Sequence, residues 1–304
     1  MAIPVLAIVG PTASGKTTAG VALAKRIRGV IVSCDSRQMY RELIIGAGKE
    51  GELSQREIRG VGLVPSRRVD GIDQVGVDLF SVRDTVSVKQ FADTVVPMIE
   101  GLRAERITPI IVGGSGLYVE GVLGLRVFAH AKPNQKRRAE LETWPIKRLI
   151  ERLATLAPER IASIDLKNRR RIVRAIEISE SNQTIVANPR TPRWETKIFG
   201  INPPREQLYE LIDARLEHRL EGIIAETRAL LSEGVPWERL DELGLEYRFA
   251  HRLITENGNP EKIREELKFA IHAFARRQMT WFKKMPGVEW FDSTEELVAD
   301  TQHA

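Results

Sequence analysis

Residues 8–18, IVGPTASGKTT, join the end of an apolar strand to a glycine turn and the start of a helix. They match the pattern G-x-x-x-x-G-K-[ST] in full, in the strand-to-helix context that this motif requires. Glycines let the backbone curl with its N–H groups facing inward, and a helix N-terminus adds partial positive charge. The stretch therefore predicts a phosphate-binding loop, a P-loop, made by Gly10, Pro11, Thr12, Ala13, Ser14, Gly15, Lys16 and Thr17. In such a loop the lysine bridges phosphate oxygens, and the Thr17 hydroxyl is placed for Mg²⁺.

The first 120 residues alternate between strand-like and helical patterns. Short apolar runs predict strands, and apolar residues at helical spacing predict helices. The predicted elements are strands over Val5–Val9, Val30–Ser33 and Pro109–Val112, and helices over Lys16–Arg26 and Val88–Arg103. This alternation is typical of a parallel sheet with helices on both faces. Residues 46–76 hold seven glycines without a clear period and are predicted to be mobile connecting structure.

After residue 122 the pattern becomes mostly helical. Residues 141–178 are helical in pattern, 182–193 are typical of a loop, and KIFGINPP predicts a strand that returns to the sheet. Two long helical stretches follow, over about 205–233 and 261–284, and Asn259 is the predicted N-cap of the second. We therefore predict an α/β fold, a P-loop NTPase-like parallel sheet flanked by helices. Its core is formed by residues 1–122 and 189–304, with a small all-helical insertion at 123–188.

Positive charge is concentrated within the predicted insertion. The chain has a net charge of +5, but residues 132–174 alone hold 13 Lys or Arg against 5 Asp or Glu. A local excess of this size favours a polyanionic partner, of which nucleic acid is the commonest. A solvated helical face would produce the same charge count, so charge alone leaves both interpretations open.

The chain's cysteine content and apolar patterning bear on its compartment. A single cysteine, Cys34, cannot form an intrachain disulfide, which is typical of a reducing compartment. The apolar runs are far shorter than the roughly 20 residues of a membrane span, and the first residues lack the pattern of a signal peptide. We therefore expect a cytoplasmic protein without a membrane partner, and a monomer.

The residues that follow the predicted strands suggest chemistry. In a parallel sheet the carboxyl ends of the strands share one crevice. The strand Pro109–Val112 ends in Gly113 and Gly114, without the acid that holds Mg²⁺ in many P-loop proteins, whereas Asp35 follows the strand Val30–Ser33. A carboxylate that is free of metal binding can serve as a general base. An Asp-Ser pair is also typical of a helix N-cap, so both roles for Asp35 stay open on chemistry alone.

Two basic stretches could contact phosphates. NRRRIVRAIEI places Arg170, Arg171 and Arg174 within about one helical turn, opposite an apolar face. FARRQMTWFKK combines arginines, Gln278 and Trp281, a mixture suited to stacking on bases and binding phosphates. A surface helix end with a buried tryptophan is the alternative for the second stretch.

Taken together, five stretches in order resemble the tRNA dimethylallyltransferase family over nearly the whole chain: GPTASGKT, DSRQMY, IVGGSGLY, RRRIVRAIEI and ARRQMTWFKK. The resemblance implies transfer of a dimethylallyl group from dimethylallyl diphosphate to N6 of the adenine next to the anticodon, on its 3′ side. It implies tRNA, through its anticodon stem-loop, as partner and Mg²⁺ as cofactor. The loop would then hold the diphosphate of the donor rather than ATP. An adenylate isopentenyltransferase that uses free nucleotide, and a small-molecule kinase whose P-loop binds ATP, are the alternatives.

The resemblance also implies roles for single residues. Lys16 and Thr17 would stabilise the leaving diphosphate, and Asp35 would take the proton from the adenine N6. The tRNA contacts implied are Asp35, Ser36, Arg37, Gln38, Ser115, Arg138, Arg170, Arg171, Arg174, Arg277 and Gln278. His272 stands where the family often carries an arginine thought to act at the diphosphate, so it is a secondary candidate, with Arg276 or Arg277 as compensating cations.

Overall fold

The computed structural model describes residues 3–128, 134–162, 164–181, 191–256 and 259–301. Within these residues the strands are β1 Val5–Val9, β2 Gly29–Ser33, β3 Glu52–Ile58, β4 Gly62–Val69, β5 Ile72–Val75, β6 Thr108–Gly113, β7 Thr196–Ile201 and β8 Val288–Phe291. The helices are α1 Lys16–Arg26, α2 Val88–Ala104, α3 Gly116–Leu123, α4 Gln135–Thr143, α5 Ile146–Leu156, α6 Pro158–Ile161, α7 Arg169–Glu180, α8 Arg205–Ser232, α9 Trp237–Leu243, α10 Leu245–Thr255, α11 Pro260–Phe282 and α12 Thr294–Asp300. None of these helices is long and apolar enough to cross a membrane.

The eight strands form one sheet in the order β3-β4-β5-β2-β6-β1-β7-β8. The six strands β5-β2-β6-β1-β7-β8 pair with one another in parallel, and β4 and β3 extend the sheet beyond β5 by antiparallel pairs. The central strands are apolar on both sides because both faces are covered. Residues of α2 and α3 pack on one face and residues of α1 and α12 on the other. The predicted α/β fold with a parallel sheet flanked by helices is confirmed.

The prediction for residues 46–76 is wrong. The region contains the antiparallel strands β3, β4 and β5 rather than a mobile connection. The glycines fall at its turns: Asp70 and Gly71 both have positive φ (49° and 83°), the conformation of a tight Asp-Gly hairpin turn. Counting glycines without their spacing hid the two strand-turn-strand units.

The loop at 182–193 was predicted between the insertion and the returning strand, and residues 182–190 of it lie outside the described residues. The returning strand is β7, and the predicted N-cap of the last long helix is confirmed. The Asn259 side chain accepts hydrogen bonds from the backbone N–H groups of Glu261 and Lys262, at 2.9 and 3.4 Å.

The chain divides into two compact units. One comprises residues 1–126 and 190–304 and holds the sheet, and the other comprises 127–189. Within the described part of the smaller unit all regular structure is helical, α4 to α7, around a core that includes Leu149, Leu153 and Ile176. The insertion was predicted at 123–188, and the smaller unit of the structure spans 127–189.

Candidate active site

The carboxyl ends of three neighbouring strands lie side by side in the larger unit. Val9 at the end of β1 is in register with Gly113 of β6, and Ser33 at the end of β2 is in register with Val112. The loops that follow these strands therefore line one crevice of about 170 Å³, together with parts of α8, α10 and α11. Its walls include P-loop residues Thr12 to Thr17, the loop 35–38, Gly114 and Ser115.

The P-loop has the backbone that its glycines were expected to allow. Gly10 and Gly15 have φ of 151° and 84°, and Ala13 also has positive φ, at 62°. A Cβ at Gly10 would lie 2.4 Å from the carbonyl oxygen of Ile201, so only glycine fits there. The helix α1 begins directly after Gly15, so its N-terminus faces the crevice. The loop is therefore shaped to present backbone N–H groups to an anion.

Two side chains of the loop, Ser14 and Lys16, are placed to bind an anion. The Oγ of Ser14 is buried and has no hydrogen-bond partner among the described residues. Burial lowers the pKa of Lys16 to about 7, a shift that the Asp35 carboxylate opposes and Arg215 increases. Lys16 donates a hydrogen bond to the carbonyl of Pro11. An anionic ligand would restore the full charge of this amine, because a negative neighbour favours the protonated form.

Asp35 has one oxygen engaged by the loop that it begins. Its Oδ1 accepts hydrogen bonds from the backbone N–H groups of Arg37 at 2.9 Å and Gln38 at 3.4 Å. Its other oxygen has no hydrogen-bond or ion-pair partner among the residues that the structure describes, and the half-buried side chain lines the crevice. No helix begins here, because residues 36–39 form a turn. Asp35 therefore caps this turn and not a helix, and one carboxylate oxygen is left for a reacting group.

Ser36 and Ser115 join the loops after β2 and β6. The Oγ of Ser115 accepts a hydrogen bond from the backbone N–H of Ser36 and lies 3.2 Å from its hydroxyl oxygen. Each hydroxyl can reorient to meet a ligand, because a hydroxyl has one donor and two acceptor positions.

Gln38 is held by its surroundings on both ends of its amide. Its Oε1 accepts from the Ser33 hydroxyl at 2.8 Å and from the Gln74 amide at 3.1 Å. Its Nε2 donates to the carbonyl of Gly48 at 3.3 Å. The side chain lines the crevice with its polar atoms already paired, so any contact to a base would share these atoms.

Arg37 is also committed within the protein. Its guanidinium forms a 2.5 Å ion pair with Glu246 of α10 and lies 5.7 Å from the ring centre of Phe274. A Cβ at Gly244 would lie 2.4 Å from this guanidinium, which is therefore closely packed against the start of α10. The pair brings α10 to the crevice wall.

Gln278 of α11 connects the P-loop to the turn after β6. Its Oε1 accepts from the backbone N–H of Thr12 at 2.9 Å, and its Nε2 donates to the carbonyl of Gly114 at 2.8 Å. The side chain is buried, and it also lines the crevice. Its geometry is that of a residue that holds two loops together, and its tRNA contact stays a prediction.

The remaining predicted side chains of α11 lie around this point. Arg277 is exposed, 5.8 Å from the ring centre of Phe274. Trp281 packs against Gly116, whose Cβ would lie 2.4 Å from the indole, and its Nε1 donates to Glu120 at 2.9 Å. The tryptophan thus packs between α11 and α3, which agrees with the alternative interpretation of FARRQMTWFKK as a helix end that packs its tryptophan against the protein.

His272 is placed away from the crevice lining. It is buried between α8 and α11, with Nε2 at 2.8 Å from Oδ1 of Asp213 and its ring stacked on Tyr209 at 3.9 Å. The compensating cation proposed from sequence, Arg276, donates to the Tyr209 hydroxyl at 2.8 Å.

Two arginines that the sequence patterns did not single out line the crevice. Arg215 and Arg219 are one turn apart on α8, and both line the cavity. Their spacing of four residues on one helix was the available signal, since it places both on the same face. Without the fold, however, nothing distinguished this face from a solvated one.

The arginines predicted in the smaller unit fall into two groups. Arg138 and Arg174 both pair with the buried carboxylate of Glu177, at 2.7 and 3.5 Å. Arg170 and Arg171 are exposed on α7, opposite its buried face. Arg170 and Arg171 therefore present their charge to solvent, where a phosphate could reach them.

The protein donors in the crevice fit Mg²⁺ only together with a phosphate ligand. The Thr17 hydroxyl lines the crevice at the start of α1, and no cluster of three or more His, Cys, Asp or Glu that could hold a metal exists among the described residues. Mg²⁺ is commonly bound in this way, through one or two protein oxygens, waters and substrate phosphates.

Comparisons with known proteins agree over nearly the whole chain. Residues 38–285 match the family model described as IPP transferase, and residues 3–72 match the model described as isopentenyl transferase. The tRNA dimethylallyltransferase 2 of Syntrophotalea carbinolica is 39% identical over 96% of this chain and 95% of its own length. The tRNA dimethylallyltransferase 1 of Geotalea uraniireducens is 36% identical over 99% and 97%. The crystal structure of the tRNA isopentenylpyrophosphate transferase from Bacillus halodurans has a TM-score of 0.70 and 27% identity, over 99% of this chain and 94% of that one.

Proposed function

The chain belongs to the IPP transferase family, and on this premise we propose that it transfers a dimethylallyl group from dimethylallyl diphosphate to tRNA. The acceptor is N6 of the adenine that follows the anticodon, and diphosphate is released. The observation that carries the proposal is the crevice in which an anion-binding loop and a carboxylate, Asp35, open onto the same space. A phosphate site beside a base is what displacement of diphosphate by an amine requires.

The P-loop holds the diphosphate end of the donor. Its backbone N–H groups, the Ser14 hydroxyl and Lys16 donate to phosphate oxygens, and stabilise the negative charge that grows as the C–O bond breaks. The Thr17 hydroxyl would hold Mg²⁺ together with these oxygens, and the metal when bound supplies further charge neutralisation. Support for diphosphate rather than ATP comes from β6, which ends at Gly113 and is followed by Gly114, without a metal-binding acid.

Asp35 acts on the acceptor. As the bond from N6 to the allylic carbon forms and the bond from that carbon to the diphosphate oxygen breaks, the amine loses a proton. The second oxygen of Asp35 accepts it, while the first stays bonded to the backbone at Arg37 and Gln38. The adenine reaches this position flipped out of its loop, because a stacked base is not accessible.

The tRNA is held by residues of both units. In the larger unit, Ser36, Arg37, Gln38 and Ser115 contact the adenine and its neighbours, with Arg277 and Gln278 on α11. In the smaller unit, Arg138, Arg170, Arg171 and Arg174 contact phosphates of the anticodon stem-loop. The exposure of Arg170 and Arg171 supports this role, since phosphate contacts need accessible cations.

We further propose a cytoplasmic monomer. The buried, unpaired thiol of Cys34 supports a reducing compartment. Light scattering coupled to size-exclusion chromatography measures the oligomeric state directly, and a dimer mass would contradict the monomer.

The decisive experiment is incubation of the purified chain with dimethylallyl diphosphate, Mg²⁺ and unmodified tRNA that carries an adenine 3′ of the anticodon. Mass spectrometry of the digested tRNA is expected to show one dimethylallyl group on that adenine. A parallel reaction with AMP tests the adenylate alternative, and faster prenylation of AMP than of tRNA would replace the proposal with it. Absence of any prenylated base, with tRNA binding intact, would refute the enzymatic proposal.

A further inference from the structure

Arg219 stands in the crevice wall without an assigned role. It lies on α8, one turn after Arg215, and both guanidinium groups converge on the backbone of Gly48. A Cβ at Gly48 would lie 2.2 Å from Nη2 of Arg215 and 3.1 Å from Nη1 of Arg219. Both arginines line the polar crevice and also a smaller adjoining cavity that shares Thr12 and Ala13 of the P-loop with it. Arg219 therefore borders the same space as that loop.

The guanidinium of Arg219 is incompletely satisfied. Its Nη2 is buried and has no hydrogen-bond partner among the residues that the structure describes, and the side chain forms no ion pair with a described carboxylate. Burial and the neighbouring Arg215 lower its pKa to about 10, which still leaves it charged at neutral pH. A buried, charged N–H without an acceptor is unfavourable, so Nη2 of Arg219 is a donor that a bound ligand would satisfy.

The nearest carboxylates do not fill this need because each is engaged elsewhere. Glu246 pairs with Arg37 at 2.5 Å. Glu226 accepts hydrogen bonds from three consecutive backbone N–H groups, those of residues 44–46, and from the Tyr247 hydroxyl at 2.6 Å. Arg219 thus has acidic neighbours that moderate its charge but does not use them as hydrogen-bond acceptors.

An anion is the acceptor that suits this crevice, because Lys16, Arg215 and Arg219 all line it. We propose that Arg219 is a further binding residue for the diphosphate of the donor, and that its Nη2 donates to a phosphate oxygen that the P-loop leaves free. The inference rests on the proposed function for the nature of that ligand. A diphosphate presents several charged oxygens, and an arginine that lines the same crevice as the P-loop offers them a further charged donor.

The test measures binding of inorganic pyrophosphate with Mg²⁺ by isothermal titration calorimetry on the full chain. Arg219→Met keeps the length of the side chain and removes its charge and donors. The expected result is an affinity about 10- to 100-fold weaker, the usual effect of losing a hydrogen bond to a charged group. Arg219→Lys is expected to recover part of it. Arg228→Met, an exposed arginine on the same helix, is the matched control and is expected to bind as the parent does.

Two further measurements separate this role from others. Thermal unfolding of Arg219→Met is expected at the parent temperature or above it, since a buried unpaired charge is removed, and tRNA affinity is expected to be unchanged. Pyrophosphate affinity equal to the parent's would overturn the inference. A lower unfolding temperature would then indicate a structural role for Arg219, and weaker tRNA binding would indicate a contact to the acceptor. The test of Arg219 measures pyrophosphate binding and not catalysis. Failure of prenyl transfer would therefore refute the proposed function without deciding whether Arg219 binds pyrophosphate.

Discussion

Replacement of Asp35 by asparagine separates the two roles that its carboxylate can have. Asparagine retains a carbonyl oxygen at Oδ1, so it can still accept the hydrogen bonds from the backbone N–H groups of Arg37 and Gln38, at 2.9 and 3.4 Å. It cannot accept a proton at neutral pH. The loop should therefore keep its conformation while the base is lost.

The expected magnitudes differ between asparagine and alanine. Removal of a general base costs typically 10²- to 10⁴-fold in rate, so both variants should lose about that much single-turnover prenyl transfer. Asp35→Ala also leaves two backbone N–H groups of a half-buried loop without their acceptor, at a cost of about 1 kcal/mol in unfolding free energy. Only the alanine variant should unfold at a lower temperature.

The assay is single-turnover transfer under saturating tRNA and dimethylallyl diphosphate, followed by mass spectrometry, with thermal unfolding measured in parallel. Asp84→Asn is the matched control, because its carboxylate accepts a backbone N–H from Ser81 at 2.9 Å on an exposed loop outside the crevice lining. If Asp35→Asn transfers within about threefold of the parent while Asp35→Ala is impaired, the residue only caps its loop and the assignment as base is refuted.

Three further outcomes follow from other contacts. Gln278→Leu removes two hydrogen bonds to backbone groups of different loops. We expect it to lower the unfolding free energy by about 2–4 kcal/mol in urea titrations and to weaken pyrophosphate binding. Unchanged stability would contradict the role of Gln278 in holding the two loops together. Burial lowers the pKa of Lys16 to about 7, so its amine is mostly neutral at pH 8. Pyrophosphate binding at pH 8 should therefore take up a proton in the parent but not in Lys16→Met, as measured by calorimetry in buffers of different ionisation enthalpy. Equal proton uptake by both proteins would exclude Lys16 as the group that is protonated. Glu177→Gln weakens two ion pairs of the smaller unit with partly exposed arginines, so its thermal unfolding should report a loss of only about 1 kcal/mol; a much larger loss would mean that the buried carboxylate organises that unit.

Local sequence was sufficient where structure depends on neighbours along the chain. The helix predicted at Lys16–Arg26 has these bounds in the structure, and the N-cap at Asn259 is present. Both follow from short-range chemistry, glycine torsions and side-chain caps. The same approach failed at residues 46–76 because turn glycines and flexible glycines look alike until their strands are paired.

The candidate site shows a similar division. Asp35 and the P-loop were predicted to share a crevice from the general rule that parallel strands end at one edge, and Asp35 and loop residues 12–17 line it. Arg215 and Arg219 were missed, since a 28-residue helix offers many faces and only packing decides which one meets the site. His272 was considered for the diphosphate, but it lies against Asp213 and Tyr209.

The sequence by itself determined the phosphate-binding loop, the alternation of strands and helices and the family to which the chain is similar, because each is written in residues close together in the chain. Only the tertiary structure decided which side chains complete the crevice and which hold it together. Gln278 is 266 residues from Thr12, yet it donates and accepts across two loops at once. Such a contact depends on how helices pack on the sheet, and no spacing within the sequence encodes that distance.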